Sequence, residues 1–105
     1  VLKDYTTALS MNPKDANIHN NLAWLYVTAK DEKVKDNIKA LEHAVKASEM
    51  SNEGNADILD TLAMAYFVNG KVKEAIEAEQ KALKLEPENE RFKGNLKKYE
   101  EVKGE

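Results

Sequence analysis

The two histidines, His19 and His43, are the side chains of this sequence best suited to acid–base or metal chemistry near neutral pH. A metal site would need further ligands at suitable spacing, and a general base would need a reacting group within reach. No such set is evident, and neither a phosphate-binding glycine loop nor a nucleophile elbow occurs. We therefore predict no catalytic residue, no metal site and no cofactor, and a protein that is not an enzyme. We expect His19 to be packed within a helix and His43 to lie on a polar helix face.

The composition is typical of one folded, soluble domain. Of the 105 residues, 42% are hydrophobic and 33% are charged, and no apolar run is long enough to span a membrane. The formal charge is only -3 and both signs are interspersed, so nucleic acid is not expected as a partner. The absence of cysteine is compatible with the cytoplasm and leaves the location open. Because the chain begins with Val1, we expect a piece of a longer protein.

Apolar residues three and four apart predict two short helices within residues 56–87. The first stripe contains Leu59, Leu62, Ala63 and Tyr66. It stops at Gly70, since glycine readily adopts the left-handed conformation that ends a helix. The second stripe contains Val72, Ala75, Ile76, Glu79, Ala82, Leu83 and Leu85. It ends before Pro87, which excludes helical geometry at the preceding residue. The spacing therefore predicts a helical hairpin.

The same pattern recurs in residues 14–55 with two insertions. The stretch NNLAWLY at residues 20–26 matches DTLAMAY at residues 60–66. In the second helices, the predicted equivalences join Ile38, Ala40, Ala44, Val45 and Ala47 to Ile76, Ala78, Ala82, Leu83 and Leu85. Residues 1–13 match only a second helix, and residues 88–105 begin like a first helix and end as a polar cap. We predict one domain of these four parts.

A repeated helical hairpin of about 34 residues with these positions resembles the tetratricopeptide repeat. The positions that match the family pattern are Leu62, Ala63, Tyr66, Gly70, Ala75, Ala82 and Pro87. The earlier unit departs from the pattern at Lys30, Asn37 and Glu49. The resemblance implies an all-α, right-handed solenoid of about six helices in stacked antiparallel hairpins. It also implies a scaffold for protein–protein interaction, with a binding surface on the concave face lined by the first helices.

The side chains expected on that concave face combine amides, carboxylates and apolar groups, which suits recognition of a peptide. The predicted binding residues are Asn17, Asn20, Asn21, Trp24, Thr28, Asp57, Asp60, Thr61, Met64, Phe67, Arg91 and Lys98. Two alternatives stand beside this interpretation. Trp24 could instead pack on a preceding unit, and Asp57 and Asp60 could serve only to stabilise the first turn of a helix.

The expected charge of the ligand follows from a binding mode known in the family. Some members hold the acidic C-terminus of heat-shock chaperones with Lys, Arg and Asn on successive first helices, and neither register of this sequence provides that set. Asp57 and Asp60 would repel an acidic tail. We therefore expect a neutral or basic protein or peptide with an apolar anchor near Trp24.

A structural role is the alternative function. The repeats could serve as a spacer or as a self-association element of a larger repeat protein, with the concave face unused. The first segment supports this possibility, because its apolar face should pack on a first helix that would precede it. The residues predicted for self-association are Val1, Leu2, Tyr5 and Leu9.

Overall fold

The computed structural model describes residues 7–8, 10–11, 15–29, 36–51 and 54–104. These residues form five helices: α1 (Ala16–Thr28), α2 (Asn37–Met50), α3 (Ala56–Val68), α4 (Val72–Leu85) and α5 (Glu90–Lys103). Residues 7–8 and 10–11 are also helical, and the described ranges contain no strand. The predicted all-α architecture is confirmed. The proposed self-association residues Val1, Leu2, Tyr5 and Leu9 lie outside the described residues.

Four of these five helices begin at an Asp or Asn whose side-chain oxygen accepts a hydrogen bond from an amide of the first turn. Such capping satisfies amides that have no partner within the helix. The capping residues are Asp15, Asp36, Asn55 and Asn89. At the other end of α3, Gly70 has a φ of 78°, the left-handed conformation predicted for this turn. The local sequence therefore sets most of the helix boundaries.

The helices pair as hairpins, with α1 against α2 and α3 against α4. The second hairpin packs on the first through α2 and α3, α1 also touches α3, and α5 covers α4. Alanines with no exposed surface, including Ala23, Ala44 and Ala63, allow close approach of the helices, while Phe92 and Tyr99 fill the remaining space. In the described part of the chain, no helix has the length and apolarity needed to cross a membrane.

The predicted equivalence of the second helices holds only in part. Ala40 and Ala44 are buried like their counterparts in α4, but Ile38 is 68% exposed whereas Ile76 is 8% exposed. Ile38 is the second residue of α2 and Ile76 is the fifth residue of α4, so the two do not lie at the same height along their helices. The equivalence of Ala47 with Leu85 also fails, because Ala47 is buried and Leu85 is exposed.

The departure from the family pattern at Asn37 has a structural explanation. Asn69, at the end of α3, donates from its side-chain amide to the backbone oxygen of Asn37 at 2.8 Å and to that of Ala65 at 2.7 Å. Asn37 donates in turn to the backbone oxygen of Val68. These bonds join the start of α2 to the end of α3 and so fix the two hairpins against each other.

Candidate functional site

A recess of about 240 Å³ lies across α1, α3 and α5. It is lined by Asn20, Asn21, Trp24, Asp57, Asp60, Thr61 and Arg91, and we call it the groove. All seven belong to the twelve residues predicted from the sequence, so the structure brings these seven together. The other five are not among the residues that line the groove: Asn17, Thr28, Met64, Phe67 and Lys98.

Two of the five residues outside the groove, Phe67 of α3 and Lys98 of α5, contact each other. The rings of Phe67 and Tyr99 lie with their centroids 4.6 Å apart, and the Lys98 ammonium is 5.0 Å from the centroid of Phe67. Phe67 therefore packs between α3 and α5 and does not line the groove. Its apolar ring is more favourably buried against Tyr99 than left in water.

Trp24 is 44% exposed and forms one side of the groove. The indole ring therefore offers apolar surface at this recess. Thr28 lies one turn further along α1, and its hydroxyl donates a hydrogen bond to the backbone oxygen of Trp24 at 2.7 Å. Trp24 is the large apolar group of the groove.

The two aspartates of α3 differ in what they offer a ligand. Asp57 lies in the first turn and its side chain is 69% exposed, whereas Asp60 is the fifth residue of the helix and its side chain is only 4% exposed. Asp60 therefore lines the groove with little exposed surface, and the alternative that it stabilises the first turn is wrong because it lies beyond that turn. Thr61 is also buried, and its hydroxyl donates to the backbone oxygen of Asp57. Only Asp57 is an open carboxylate.

Side chains of α5 contact the carboxylates of both Asp57 and Asp60. An Arg91 nitrogen, Nη2, lies 3.0 Å from Oδ1 of Asp57 and 3.6 Å from Oδ2 of Asp60. Asn95 donates to the other Asp60 oxygen at 3.0 Å, which pairs the buried carboxylate. Arg91 and Asp57 are 34 residues apart, which is one repeat length, so equivalent positions on successive first helices meet. That spacing was the available signal for the ion pair.

Glu79 of α4 lies behind Asp60 with no exposed surface. Burial, followed by the hydrogen bond and the negative charge of Asp60, raises the pKa of Glu79 to about 9. Among the described residues, neither carboxyl oxygen of Glu79 has a hydrogen-bond partner at ordinary hydrogen-bond geometry. The raised pKa means that Glu79 holds a proton at neutral pH, which removes the repulsion between its carboxyl group and that of Asp60. In the sequence, Glu79 lies within the apolar stripe of α4, and a carboxyl group at such a position is the signal of a buried, paired glutamate.

The two histidines meet inside the first hairpin. Their Nδ1 atoms are 2.9 Å apart, and the two rings are stacked with centroids 5.1 Å apart and planes inclined by 28°. Burial, then the charge of His19, lowers the pKa of His43. His19 is packed as predicted, at 3% exposed. The prediction of a polar-face His43 is wrong, because its ring is part-buried between His19 and Tyr26.

A second recess of about 470 Å³ lies along α2 and was not predicted. It is lined by Ile38, Leu41, Glu42, Val45, Lys46, Glu49 and Asn69, and we call it the α2 recess. Because Ile38 is exposed here, the α2 recess offers more apolar surface than the groove but fewer amide groups. It provides an internal control for experiments on the groove.

The stacked hairpins and the groove across their first helices define a helical-repeat domain of the type that presents a recognition surface. A family model for the prolyl 4-hydroxylase peptide-substrate-binding domain matches residues 38–105, and a model for the tetratricopeptide repeat matches residues 4–42. The first covers more than half of the chain and both are of tetratricopeptide type, so this chain belongs to the family of tetratricopeptide-repeat domains. Such domains generally mediate interactions with proteins or peptides. No curated protein matches the sequence.

Proposed function

We propose that the groove binds a neutral or basic peptide segment, with an apolar side chain of the ligand against Trp24, and that the domain performs no catalysis. The observation that carries this proposal is the meeting of an open indole, two asparagines and one open carboxylate across neighbouring first helices. An aromatic anchor surrounded by polar groups is the usual arrangement of an energetically dominant contact.

The charge of the groove supports a neutral or basic ligand. Its lining contains two carboxylates, Asp57 and Asp60, against one guanidinium, Arg91. The exposed Asp57 and Arg91 balance each other, and the buried Asp60 carboxylate makes the net charge of the lining negative, which favours a basic segment over an acidic one. Glu79 adds no charge near neutral pH, because its raised pKa keeps it protonated.

An unsatisfied acceptor in the groove supports recognition of a peptide backbone. The side-chain oxygen Oδ1 of Asn20 is buried and accepts no hydrogen bond from the described residues. A buried acceptor without a donor costs roughly 1–3 kcal/mol, and a peptide N–H is the donor that would remove this cost. We therefore place the ligand main chain beside Asn20.

The non-catalytic part of the proposal is supported by the location of the titratable groups. Glu79, whose pKa is strongly raised, has no exposed surface and is not among the residues lining the groove. His19 is buried within the first hairpin. Groups of this kind contribute to packing and cannot reach a bound substrate.

The matching family adds support at the level of ligand class. The model that covers residues 38–105 is named for a domain of prolyl 4-hydroxylases that binds a peptide substrate. We extend peptide binding to this chain, and we take the character of the peptide from the side chains of the groove.

Selection of a random peptide library displayed on phage tests the proposal. We expect peptides that combine apolar with neutral or basic residues, and we expect Trp24→Ala to weaken their binding roughly tenfold, about 1.4 kcal/mol. Ile38→Ala is the matched control, because it truncates an exposed apolar residue of the α2 recess. Failure to select any peptide, or equal losses in both variants, would refute the proposal and favour the structural alternative.

A further inference from the structure

We propose that Arg91 competes with the ligand for Asp57, so that the groove selects a segment carrying a lysine or arginine next to its apolar anchor. The inference rests on the proposed function and specifies its ligand. In the free protein, Arg91 occupies the carboxylate that a cationic side chain of the ligand takes over in the complex.

The contact between Arg91 and Asp57 is of the kind that exchanges readily. The two atoms are 3.0 Å apart, but the side chains are 59% and 69% exposed. Ion pairs between such exposed side chains contribute little to stability, because water screens the charges and both side chains lose freedom. A ligand cation can therefore replace the guanidinium at small cost.

The groove keeps its shape when Arg91 leaves Asp57. The buried carboxylate of Asp60 retains its hydrogen bond from Asn95 at 3.0 Å, which continues to join α3 to α5. The guanidinium of Arg91 also lies 5.2 Å from the centroid of the Phe92 ring on its own helix. This cation–π contact can persist when Arg91 leaves Asp57. Exchange at Asp57 requires a movement of the exposed Arg91 side chain, whose guanidinium also lies 3.6 Å from the Asp60 carboxylate.

The groove provides two favourable contacts for the incoming cation. Asp57 supplies an exposed carboxylate, and Trp24, which lines the same recess, supplies the aromatic ring that binds cations best. An acidic ligand would instead have to bind Arg91 while leaving Asp57 unpaired. The excess of carboxylates over guanidinium in the lining favours the cationic ligand.

NMR titration with three small probes tests the competition. The probes are Nα-acetyl-lysine amide, its norleucine analogue, which has a similar shape but no charge, and its glutamate analogue. The reporters are the indole N–H of Trp24 and the side-chain N–H groups of Arg91. We expect the lysine probe to bind most tightly and to perturb both reporters.

Two variants separate competition from simple attraction. Arg91→Gln should tighten binding of the lysine probe roughly two- to fivefold, the factor expected for one exposed ion pair, and leave the norleucine probe unchanged. Asp57→Asn should abolish the preference for lysine over norleucine. Lys93→Gln is the matched control, because Lys93 lies on the same helix but pairs with Glu88 and Glu90.

The opposite results overturn the inference. Arg91→Gln that weakens the lysine probe or leaves its binding unchanged would show that Arg91 does not compete. Tighter binding of the glutamate probe, lost in Arg91→Gln, would instead make Arg91 an anion-binding residue. If the groove selects peptides without any preference for cations, this inference fails alone. If it selects no peptides, the proposed function fails.

Discussion

Buried Glu79 lies beside the carboxyl group of buried Asp60, and burial together with Asp60 raises the pKa of Glu79 to about 9, so Glu79 carries a proton at neutral pH. Two buried carboxylates in contact cannot both be ionised without strong repulsion. Asp60 is held by Asn95 and Arg91, so the proton resides on Glu79. The pair joins α3 to α4 and carries one negative charge, on Asp60. Arg91 and Asn95 of α5 contact that carboxylate.

We predict that Glu79→Gln stabilises the protein at neutral pH. The pKa of Glu79 rises from an ordinary value of 4.5 to about 9 on folding, so the folded state holds the extra proton between these values. Stability therefore falls as pH rises from about 4.5 towards 9. Glutamine can donate to Asp60 without binding a proton, and it should add about 1–3 kcal/mol at pH 7 and nothing at pH 4.5.

Urea unfolding followed by circular dichroism at pH 4.5, 7 and 8.5 measures this effect. Glu77→Gln is the control, because Glu77 lies exposed on the same helix and should change stability little at any pH. A loss of stability in Glu79→Gln that is the same at all three pH values would show that Glu79 is ionised or differently paired.

The histidine pair predicts a second pH dependence, of opposite sign. The pKa of His43 is lowered below its ordinary 6.5, by burial first and by His19 second, so the unfolded state binds more protons just below pH 6.5. The contribution of His43 to stability is complete above pH 6.5 and is lost as pH falls through the lowered value. His19→Leu should raise the pKa of His43 but keep it below 6.5, because burial remains.

NMR titration of the His43 ring measures this shift directly. Lys46→Gln gives a comparison of known sign, since Lys46 also lowers the pKa of His43 but ranks after His19. A larger rise in Lys46→Gln than in His19→Leu would be inconsistent with the observed pairing of the two rings.

Two glycines should respond to alanine in opposite directions. Gly70 has a φ of 78°, and nothing lies within 4 Å of an added Cβ, so Gly70→Ala should destabilise the protein by about 1 kcal/mol through its backbone alone. Gly94 lies within α5 and has equally open surroundings, so Gly94→Ala should stabilise it by roughly 0.5–1 kcal/mol. Thermal unfolding compares the two, and a change of the same sign in both would contradict the assigned turn.

The fluorescence of Trp24, the only tryptophan, should report an open and negatively charged surrounding. We expect red-shifted emission and stronger quenching by caesium than by iodide, since the carboxylates attract cations. Asp57→Asn should reduce the difference between caesium and iodide quenching. Glu77→Gln, which removes a negative charge outside the groove, should reduce it less. Blue-shifted emission that neither ion quenches would place Trp24 in a packed interface.

The sequence predicted those parts of the fold that depend on local spacing. Apolar residues three and four apart predicted the helices. The contact between Asp57 and Arg91 was not predicted, although the repeat length is its signal, because equivalent positions of stacked units are neighbours. Contacts between positions that are not equivalent in successive repeats could not be predicted from the repeat length. A glutamate in the apolar stripe of α4 gives no indication of its partner in α3, and the exposure of Ile38 depends on where α2 begins.

The central claim is that the groove, and not the α2 recess, is the recognition surface. Backbone and side-chain NMR shifts on addition of a library-selected peptide test it most directly. We predict saturable changes at Asn20, Asn21, Trp24 and Arg91, with little change at Ile38, Leu41 and Val45. Changes confined to Ile38, Leu41 and Val45 would contradict the claim and assign recognition to the α2 recess.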